Sequence, residues 1–215
     1  MEDNKDINKW TSAEHVSAYL SRTGERPHAE EMMNALLEQI PSNAKRILDL
    51  GTGDGRLLSL AKSKNPQAEG VGLDFSEPML KLARERFSGD KSVTILKHDL
   101  NVPLPATQLG CFDIVVSGLA IHHLFHERKK QLYQEIFNVL NPSGVFCNLE
   151  HVASPTAALH QKFLAAIGLT TITDDPSNKL LDVETQLRWL REIGFVDVDC
   201  SWKWLEVALL VGFKP

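Results

Sequence analysis

Cysteine, basic charge and long apolar runs are all scarce in this chain of 215 residues. Its three cysteines, Cys111, Cys147 and Cys200, are too few and too scattered for a disulfide framework or a zinc site. They favour a reducing, cytoplasmic compartment. The net charge of −5 at pH 7 comes with no visible basic face, so we expect no nucleic-acid partner.

Apolar runs of membrane-spanning length are also lacking. The longest nearly continuous run, Leu205 to Phe213, is interrupted by Glu206 and is far short of the roughly 20 residues that a span needs. The segment Met1 to Asp6 has no apolar core, which predicts no secretory signal. We therefore expect no membrane partner. Hydrophobic residues at 43% and charged residues at 24% are typical of a globular domain.

What the chain does have is an alternation of short apolar runs with segments of helical period. The runs that predict strands are Arg46–Leu50, Gly70–Asp74, Val93–His98, Phe112–Ser117, Gly144–His151, Val196–Lys203 and Val207–Phe213. Several are apolar on both faces, as parallel strands covered by helices on both sides are. The last two runs lie too close together for a helical crossover, so they must pair antiparallel.

Helical segments lie between these runs. Met32, Leu36 and Ile40 mark one apolar stripe, and Ser76 has the features of an N-cap. The alternation predicts one α/β domain over residues 1–215. Its sheet is Rossmann-like, doubly wound, seven-stranded and mostly parallel, and it closes with an antiparallel hairpin. Residues 1–28 and 152–181 fall outside the alternation and are interpreted as an N-terminal lid and a substrate cap.

The strongest local signal is the segment Ile47-Leu48-Asp49-Leu50-Gly51-Thr52-Gly53-Asp54-Gly55. A buried strand runs directly into a loop with glycine at alternate positions, and a helix follows. Such glycines let the backbone turn sharply and approach a ligand closely. The spacing is G-x-G-x-G, whereas the dinucleotide fingerprint is G-x-G-x-x-G.

Two carboxylates flank this loop. Asp49 lies two positions before Gly51, where it would repel a pyrophosphate and attract a cation. Asp74 ends the next strand, 23 residues after Gly51, where a carboxylate can accept two hydrogen bonds from a ribose diol. The glycine spacing and Asp49 argue against an NAD-dependent dehydrogenase, which needs the longer spacing and has no use for Asp49.

The loop and its neighbours resemble the class I S-adenosylmethionine-dependent methyltransferases, in ordered matches from residue 46 to 150. The segment Val71-Gly72-Leu73-Asp74-Phe75-Ser76 is similar to their ribose-binding strand end, and Lys97-His98-Asp99-Leu100 to their adenine-edge segment. Phe112–Ser117 resembles their fourth strand, and Val139-Leu140-Asn141-Pro142-Ser143-Gly144 resembles the turn before the fifth. The segment Ala120-Ile121-His122-His123-Leu124 is similar to the small-molecule branch.

The resemblance implies S-adenosylmethionine as the cofactor and S-adenosylhomocysteine as its product. The cofactor-binding residues that it implies are Tyr19, Asp49, Gly51, Thr52, Gly53, Asp74, Phe75, Met79, Asp99, Leu100 and Ser117. Asp49 and the Ser117 carbonyl would face the methionine ammonium, Asp74 the ribose and Asp99 the adenine amino group. The alternatives are that Asp74 caps a helix, Asp99 caps a turn, and Phe75 and Met79 are core residues.

His122 and His123 are the candidate catalytic residues. They follow the fourth predicted strand at the carboxyl end of the sheet, where α/β proteins bind ligands. A neutral imidazole there could accept a proton from an attacking hydroxyl or amine. Alternatively, one ring hydrogen-bonds the backbone and the other packs on a helix. Glu150 and His151 end the fifth strand at the same edge and are further candidates to face the acceptor.

The two stretches outside the alternation hold weaker candidates. Tyr19 or Arg22 could bind the methionine carboxylate, or Tyr19 could pack inward from a surface helix. In the cap, His160, Phe163, Asp174, Asp175 and Asn178 are interpreted as substrate-facing residues. The run Asp174-Asp175-Pro176-Ser177 is also typical of a solvated turn.

The sequence thus predicts in-line transfer of a methyl group to a small-molecule acceptor. We expect no metal, because His122, His123, His126 and Glu127 lack the spacing of ligands. The alternatives are a non-catalytic S-adenosylmethionine-binding or partner subunit and an RNA methyltransferase. The acceptor, the methylated atom (oxygen, nitrogen or carbon), which of the two histidines acts as base, and the oligomeric state stay open.

Overall fold

Seven strands form one sheet in the structure, a computed structural model that describes residues 7–17 and 27–215. The strands are β1 (Arg46–Leu50), β2 (Glu69–Asp74), β3 (Val93–Lys97), β4 (Phe112–Gly118), β5 (Leu140–His151), β6 (Val196–Trp204) and β7 (Val207–Phe213). Their order across the sheet is β3-β2-β1-β4-β5-β7-β6. Strands β1 to β5 pair in parallel, and β7 runs antiparallel to both β5 and β6. The predicted fold class is confirmed.

Strand β5 begins earlier than the sequence predicts. The turn residues before Gly144 were expected to precede the strand, yet Leu140 already pairs with Phe112. The register then shifts, and regular pairing resumes at Val145 opposite Ile114. An irregularity of this kind accommodates extra residues in one strand without ending the ladder.

Seven helices cover the two faces of the sheet within the described residues. They are α1 (Ala29–Gln39), α2 (Arg56–Lys64), α3 (Glu77–Arg86), α4 (Ala106–Leu109), α5 (His126–Val139), α6 (Ala157–Ala166) and α7 (Val183–Ile193). Short 3₁₀ turns lie at Ile7–Thr11 and Ile121–His123, and residues 13–17 are also helical. Within the described ranges no helix is long and apolar enough to cross a membrane.

The core lies in two layers, one on each face of the sheet. Leu48 and Leu50 of β1 belong to the layer that contains Leu132 of α5 and Leu190 of α7. Ile47, their neighbour on the opposite face, belongs to the layer beneath α1 and α2. A strand that is buried on both faces explains why Ile47-Leu48 reads as a continuous apolar run rather than an alternation.

Side-chain caps fix the starts of α3 and α7. Ser76 Oγ accepts from the Met79 amide at 3.4 Å, and Asp182 Oδ1 accepts from the Thr185 amide at 2.7 Å. Each cap satisfies an amide that has no partner within its own helix. The Ser76 cap matters for the site below, since it starts α3 directly after the end of β2.

A partly buried ion pair holds the loop that follows β3. The Arg128 guanidinium of α5 donates to Glu135 Oε1 at 2.6 Å and to Glu135 Oε2 at 2.8 Å. It also donates to the backbone carbonyls of Leu100 at 2.7 Å and Val102 at 3.0 Å. Such planar, multidentate recognition is specific to arginine. In the sequence Arg128 stands in the basic run Arg128-Lys129-Lys130, which does not indicate this role.

We expect Arg128→Met to lower the free energy of unfolding by about 3 kcal/mol, because it leaves Glu135 partly buried without its charge partner. The matched control is Lys130→Met, which removes a surface pair to Glu192 Oε2 at 2.7 Å and should cost less than about 1 kcal/mol. Urea denaturation monitored by circular dichroism measures both values. Equal losses in the two variants would contradict the structural role given to Arg128.

Candidate active site

The carboxyl ends of the parallel strands open into a cavity of about 430 Å³. Its lining includes the glycine loop after β1, the end of β2, the loop after β3 and the segment after β4. This is the edge at which open α/β sheets bind ligands, where loops from neighbouring strands diverge. The cavity therefore collects segments that are far apart in sequence.

The glycine loop lies against the sheet edge with backbone geometry that side chains resist. Gly51 has a φ of 70°, and a Cβ there would come within 2.2 Å of the Ala120 Cβ. The amides of Gly51 and Thr52 both donate to the Leu73 carbonyl, at 2.8 and 2.9 Å. Gly51 thus lets β1, β2 and the segment after β4 approach one another under the cavity floor.

Asp74 joins this loop to β2. Its Oδ2 accepts from the Gly53 amide at 2.8 Å, and its Oδ1 accepts from the Ser76 amide at 2.8 Å. The side chain is largely buried and lines the cavity, and burial raises its pKa above the ordinary value. Each carboxylate oxygen keeps a further lone pair for a ligand.

The residues that were predicted to contact the adenine also belong to this cavity. Phe75, Met79, Asp99 and Leu100 all line it. Asp99 Oδ1 also accepts from the backbone amide and the side-chain amide of Asn101, both at 2.9 Å, so part of its capacity serves a local turn. The alternative interpretation of Asp99, that it caps a turn, therefore agrees with its hydrogen bonds to Asn101.

His98 is a lining residue that the sequence reading left without a role. Its Nε2 is buried and has no hydrogen-bond partner among the described residues. A buried polar atom without a partner is unusual and calls for an explanation. The motif Lys97-His98-Asp99-Leu100 contained the signal, but only Asp99 and Leu100 were singled out.

Asp49 lies behind the glycine loop rather than on the cavity surface. It is fully buried, and its Oδ2 accepts from Thr52 Oγ1 at 2.7 Å and from the Leu58 amide at 3.1 Å. Its Oδ1 has no partner within the described residues. Burial raises the pKa of Asp49 to about 7. The carboxyl therefore ties the loop to the start of α2.

This raised pKa predicts a pH-dependent stability. Between about pH 4 and 7 the folded chain holds a proton on Asp49 that the unfolded chain has lost, so stability falls as pH rises. Asp49→Asn keeps an oxygen for both hydrogen bonds and should be more stable than the parent at pH 8, on the order of 2 kcal/mol. The gap should vanish near pH 4. Thermal unfolding at both pH values measures it, and a gap independent of pH would contradict the assignment.

Ser117, like Asp49, is a predicted cofactor residue that does not line the cavity. Ser117 is fully buried in β4, where its Oγ donates to the Leu50 carbonyl at 2.8 Å. The cavity is lined instead by the next two residues, Gly118 and Leu119. Tyr19 and Arg22 lie outside the described residues.

The structure separates the two candidate histidines. His123 lines the cavity, whereas His122 lies behind it and is buried. The His122 Nδ1 lies 3.0 Å from Oε1 of the fully buried Glu150, and its ring centroid lies 4.0 Å from that of His123. Neither Glu150 nor His151 lines the cavity. Geometry thus places His123, and not His122, where an acceptor can reach it.

Burial governs the protonation of His123. Desolvation and the neighbouring His122 lower the pKa of His123 to about 3, against a smaller opposing effect of Asp175. The ring is therefore neutral at physiological pH. A neutral imidazole has one N–H and one free lone pair, so it can accept a hydrogen bond from an acceptor hydroxyl.

The first 3₁₀ turn contacts this region. Trp10 of the first 3₁₀ turn lines the cavity, and its ring centroid lies 6.0 Å from that of His123. Ser76 Oγ donates to the Trp10 carbonyl at 2.5 Å, which fastens the turn to the start of α3. Part of the predicted lid thus contacts the site. Within the described ranges, no group of three or more His, Cys, Asp or Glu side chains could hold a metal ion.

Comparison with known proteins agrees with this geometry. A family model described as "Methyltransferase domain" matches residues 47–144. Demethylmenaquinone methyltransferase of Clavibacter sepedonicus is 30% identical over 174 residues, which cover 74% of this chain and 69% of the relative. The enzyme of the same name from Thermus thermophilus is 39% identical over 124 residues, covering 57% of this chain and 53% of the relative.

The fold has counterparts among solved structures. An O-methyltransferase family protein from Burkholderia thailandensis superposes with a TM-score of 0.75 at 15% identity, covering all of this chain and 64% of that protein. Taken with the relatives, these matches show that the chain belongs to the class I S-adenosylmethionine-dependent methyltransferases. The chain spans about half the length of the first curated relatives that it matches.

Proposed function

We propose that the protein transfers the methyl group of S-adenosylmethionine to a small-molecule acceptor. One observation carries the proposal: the glycine loop, Asp74 and His123 come from three separate segments and line one cavity. That combination provides a cofactor cradle beside a group able to accept a proton. A member that only bound the cofactor would have no need for a partly buried, neutral histidine at the same wall.

The described residues fit the cofactor. Gly51 and Gly53, both with positive φ, form a floor whose backbone a ligand can approach closely. Asp74 offers the carboxylate that a ribose diol requires. Phe75 and Asp99 line the same cavity, where an aromatic face and a carboxylate could meet the adenine ring. These are independent features, and each matches a different part of S-adenosylmethionine.

The residues divide the cofactor among them. The backbone of Gly51, Thr52 and Gly53 would hold the ribose and methionine portion, and Asp74 would accept hydrogen bonds from the ribose hydroxyls. Phe75 and Met79 would flank the adenine, and Asp99 and the Leu100 amide would bind its edge. Asp49 supports the cofactor site indirectly, because its carboxyl binds the Thr52 hydroxyl and the Leu58 amide of α2. We further propose that the Ser117 carbonyl, and Tyr19 from outside the described residues, contact the methionine end.

The bound sulfonium supplies an activated methyl group, so the chain itself has to orient the acceptor and exclude water. Orientation alone can remove several kcal/mol from a barrier. Trp10 covers the cavity beside His123 and is placed to exclude water. His123 accepts a hydrogen bond from the acceptor's X–H group and so aligns its nucleophilic atom. As that atom gains the methyl group its proton becomes strongly acidic, and even a weakly basic imidazole can take it.

The acceptor is proposed to be a small molecule whose methylated atom carries a proton. At least four relatives are demethylmenaquinone methyltransferases, and another is an ornithine lipid N-methyltransferase. We propose a quinol-type hydroxylated ring as the first acceptor class to test. We also propose a cytoplasmic location, since all three cysteines are free thiols. The net charge of −5 argues against a nucleic-acid acceptor.

The proposal is tested by release of S-adenosylhomocysteine. The protein is incubated with S-adenosylmethionine and, separately, a reduced 1,4-naphthoquinone, a catechol, ethanolamine and a short single-stranded RNA. Product is quantified by mass spectrometry of both the cofactor and the acceptor. We expect methylation of a small molecule and none of the RNA. Methylation of the RNA alone would overturn the small-molecule assignment.

A further inference from the structure

The cap meets the active-site histidine through one side chain. Ser177 Oγ lies 3.0 Å from His123 Nδ1, although the two residues are 54 positions apart in the chain. Ser177 is 3% exposed, so water does not compete freely for this contact. The run Asp174-Asp175-Pro176-Ser177 was open to interpretation as a solvated turn. In the structure its last residue is buried against the site.

The direction of this hydrogen bond follows from Asp175. Ser177 Oγ lies 2.8 Å from Asp175 Oδ1, and the Ser177 amide donates to the same oxygen at 2.9 Å. An ionised carboxylate can only accept, so the Ser177 hydroxyl proton points to Asp175. The surroundings lower the pKa of Asp175, chiefly through hydrogen bonds from Ser177 that outweigh the cost of burial, so the carboxylate is ionised at neutral pH. The serine oxygen is then left with lone pairs toward His123.

We propose that Ser177 and Asp175 are positioning residues that fix His123 as the neutral tautomer protonated on Nδ1, with the Nε2 lone pair available to the acceptor. The inference rests on the proposed function for the acceptor's presence, but the tautomer itself can be observed without one. A free imidazole side chain does not favour the Nδ1–H tautomer by itself. A hydrogen-bond acceptor beside Nδ1, here the Ser177 oxygen, selects that tautomer.

Several other contacts hold the cap loop in register with His123. The Lys179 amide donates to the His122 carbonyl at 2.8 Å, and the Lys129 ammonium donates to the Lys179 carbonyl. These bonds anchor the residues directly after Ser177. Lys9 of the first 3₁₀ turn lies 4.0 Å from Asp175 on the other side. The titratable groups that act electrostatically on His123 are His122 and Glu150, which lie behind the cavity, and Asp175 of the cap.

The same hydrogen bonds give the Asp175 carboxylate a role during methyl transfer. The acceptor's nucleophilic atom bonds to the methyl carbon while the carbon–sulfur bond breaks and leaves its electron pair on sulfur. The acceptor's proton moves to His123 Nε2 and leaves to water when the product departs. While both ring nitrogens carry protons, Asp175 stabilises the positive charge through Ser177, as the aspartate of a catalytic triad stabilises its histidine.

Nitrogen NMR of histidine tests the tautomer directly. Long-range ¹H–¹⁵N spectra of protein labelled at its 8 histidines distinguish Nδ1–H from Nε2–H rings, and His123→Gln assigns the signal. We expect the Nδ1–H pattern for His123 at pH 7. Ser177→Ala should convert it to Nε2–H or a mixture. Asp175→Ala should do the same, because the freed Ser177 hydroxyl can then donate to Nδ1. Ser177→Thr should restore the parent pattern.

Asp174→Ala is the matched control. It removes a carboxylate at the adjacent position that lies 3.4 Å from His160 Nε2 rather than near His123. It should alter the His160 signal and leave that of His123 unchanged. An Nε2–H ring in the parent protein, or a His123 signal indifferent to both Ser177→Ala and Asp175→Ala, would overturn the proposal. Calorimetry with S-adenosylmethionine on the same samples separates this outcome from failure of the proposed function, because all the variants should bind the cofactor normally.

Discussion

Asp74→Ala is expected to weaken S-adenosylmethionine binding about 100-fold, because hydrogen bonds to a charged group contribute about 1.5–3 kcal/mol each. The variant removes both oxygens offered to the ribose. It also removes the acceptor that holds the Gly53 amide at 2.8 Å, so the loop beneath the cofactor is released as well. Isothermal titration calorimetry measures the affinity.

A neighbouring acidic residue provides the control for Asp74. Glu77→Ala removes a carboxylate three positions away on α3, but that side chain is exposed and does not line the cavity. It should bind S-adenosylmethionine as the parent does. Asp74→Asn retains one carbonyl oxygen and should fall between the two. If Asp74→Ala bound as tightly as Glu77→Ala, the ribose assignment would be wrong.

His123→Ala is expected to lower turnover about 100- to 10,000-fold, the range typical of a lost general base. Its affinity for S-adenosylmethionine should stay near that of the parent. Because the pKa of His123 lies at about 3, its ring stays neutral above pH 5. Turnover of the parent should therefore show no loss near pH 6.5 that depends on this residue. Initial rates from pH 5 to 9 on the acceptor identified above measure both effects.

His126→Gln is the control for this variant. His126 is exposed at the start of α5, does not line the cavity and contacts the Leu180 carbonyl at 3.2 Å. Its turnover should match the parent. Full turnover in His123→Ala would remove the acid–base role and leave orientation as the chain's whole contribution. A rise of KM for the acceptor with unchanged kcat would instead assign His123 to binding alone.

The sheet was predictable from the sequence because buried parallel strands leave a local signature. The predicted strand Arg46–Leu50 is apolar on both faces, through Ile47, Leu48 and Leu50, and the structure confirms its bounds. The structure places it between β2 and β4. The glycine spacing after it likewise fixes a turn with positive φ. Strand β5 was less predictable at its start, since the pairing of Leu140 with Phe112 depends on a register shift that no local pattern shows.

The site was predictable where it follows strand ends and unpredictable where distant loops meet. Asp74 and His123 lie on the cavity because they follow β2 and β4. Asp49 carries no visible sign in sequence that its neighbours bury it behind the loop. The contacts of Ser177 with His123 and of Trp10 with Ser76 join segments separated by 54 and 66 positions. Loop conformations of that kind have no periodicity to reveal them.

The measurement closest to the central claim is a calorimetric titration of the parent protein with S-adenosylmethionine, S-adenosylhomocysteine and NAD. The glycine loop, Asp74 and the adenine-side residues predict micromolar binding of the first two and no binding of NAD. Binding of NAD with neither sulfur nucleoside would contradict the account. It would mean that the carboxylate-flanked loop accommodates a pyrophosphate after all.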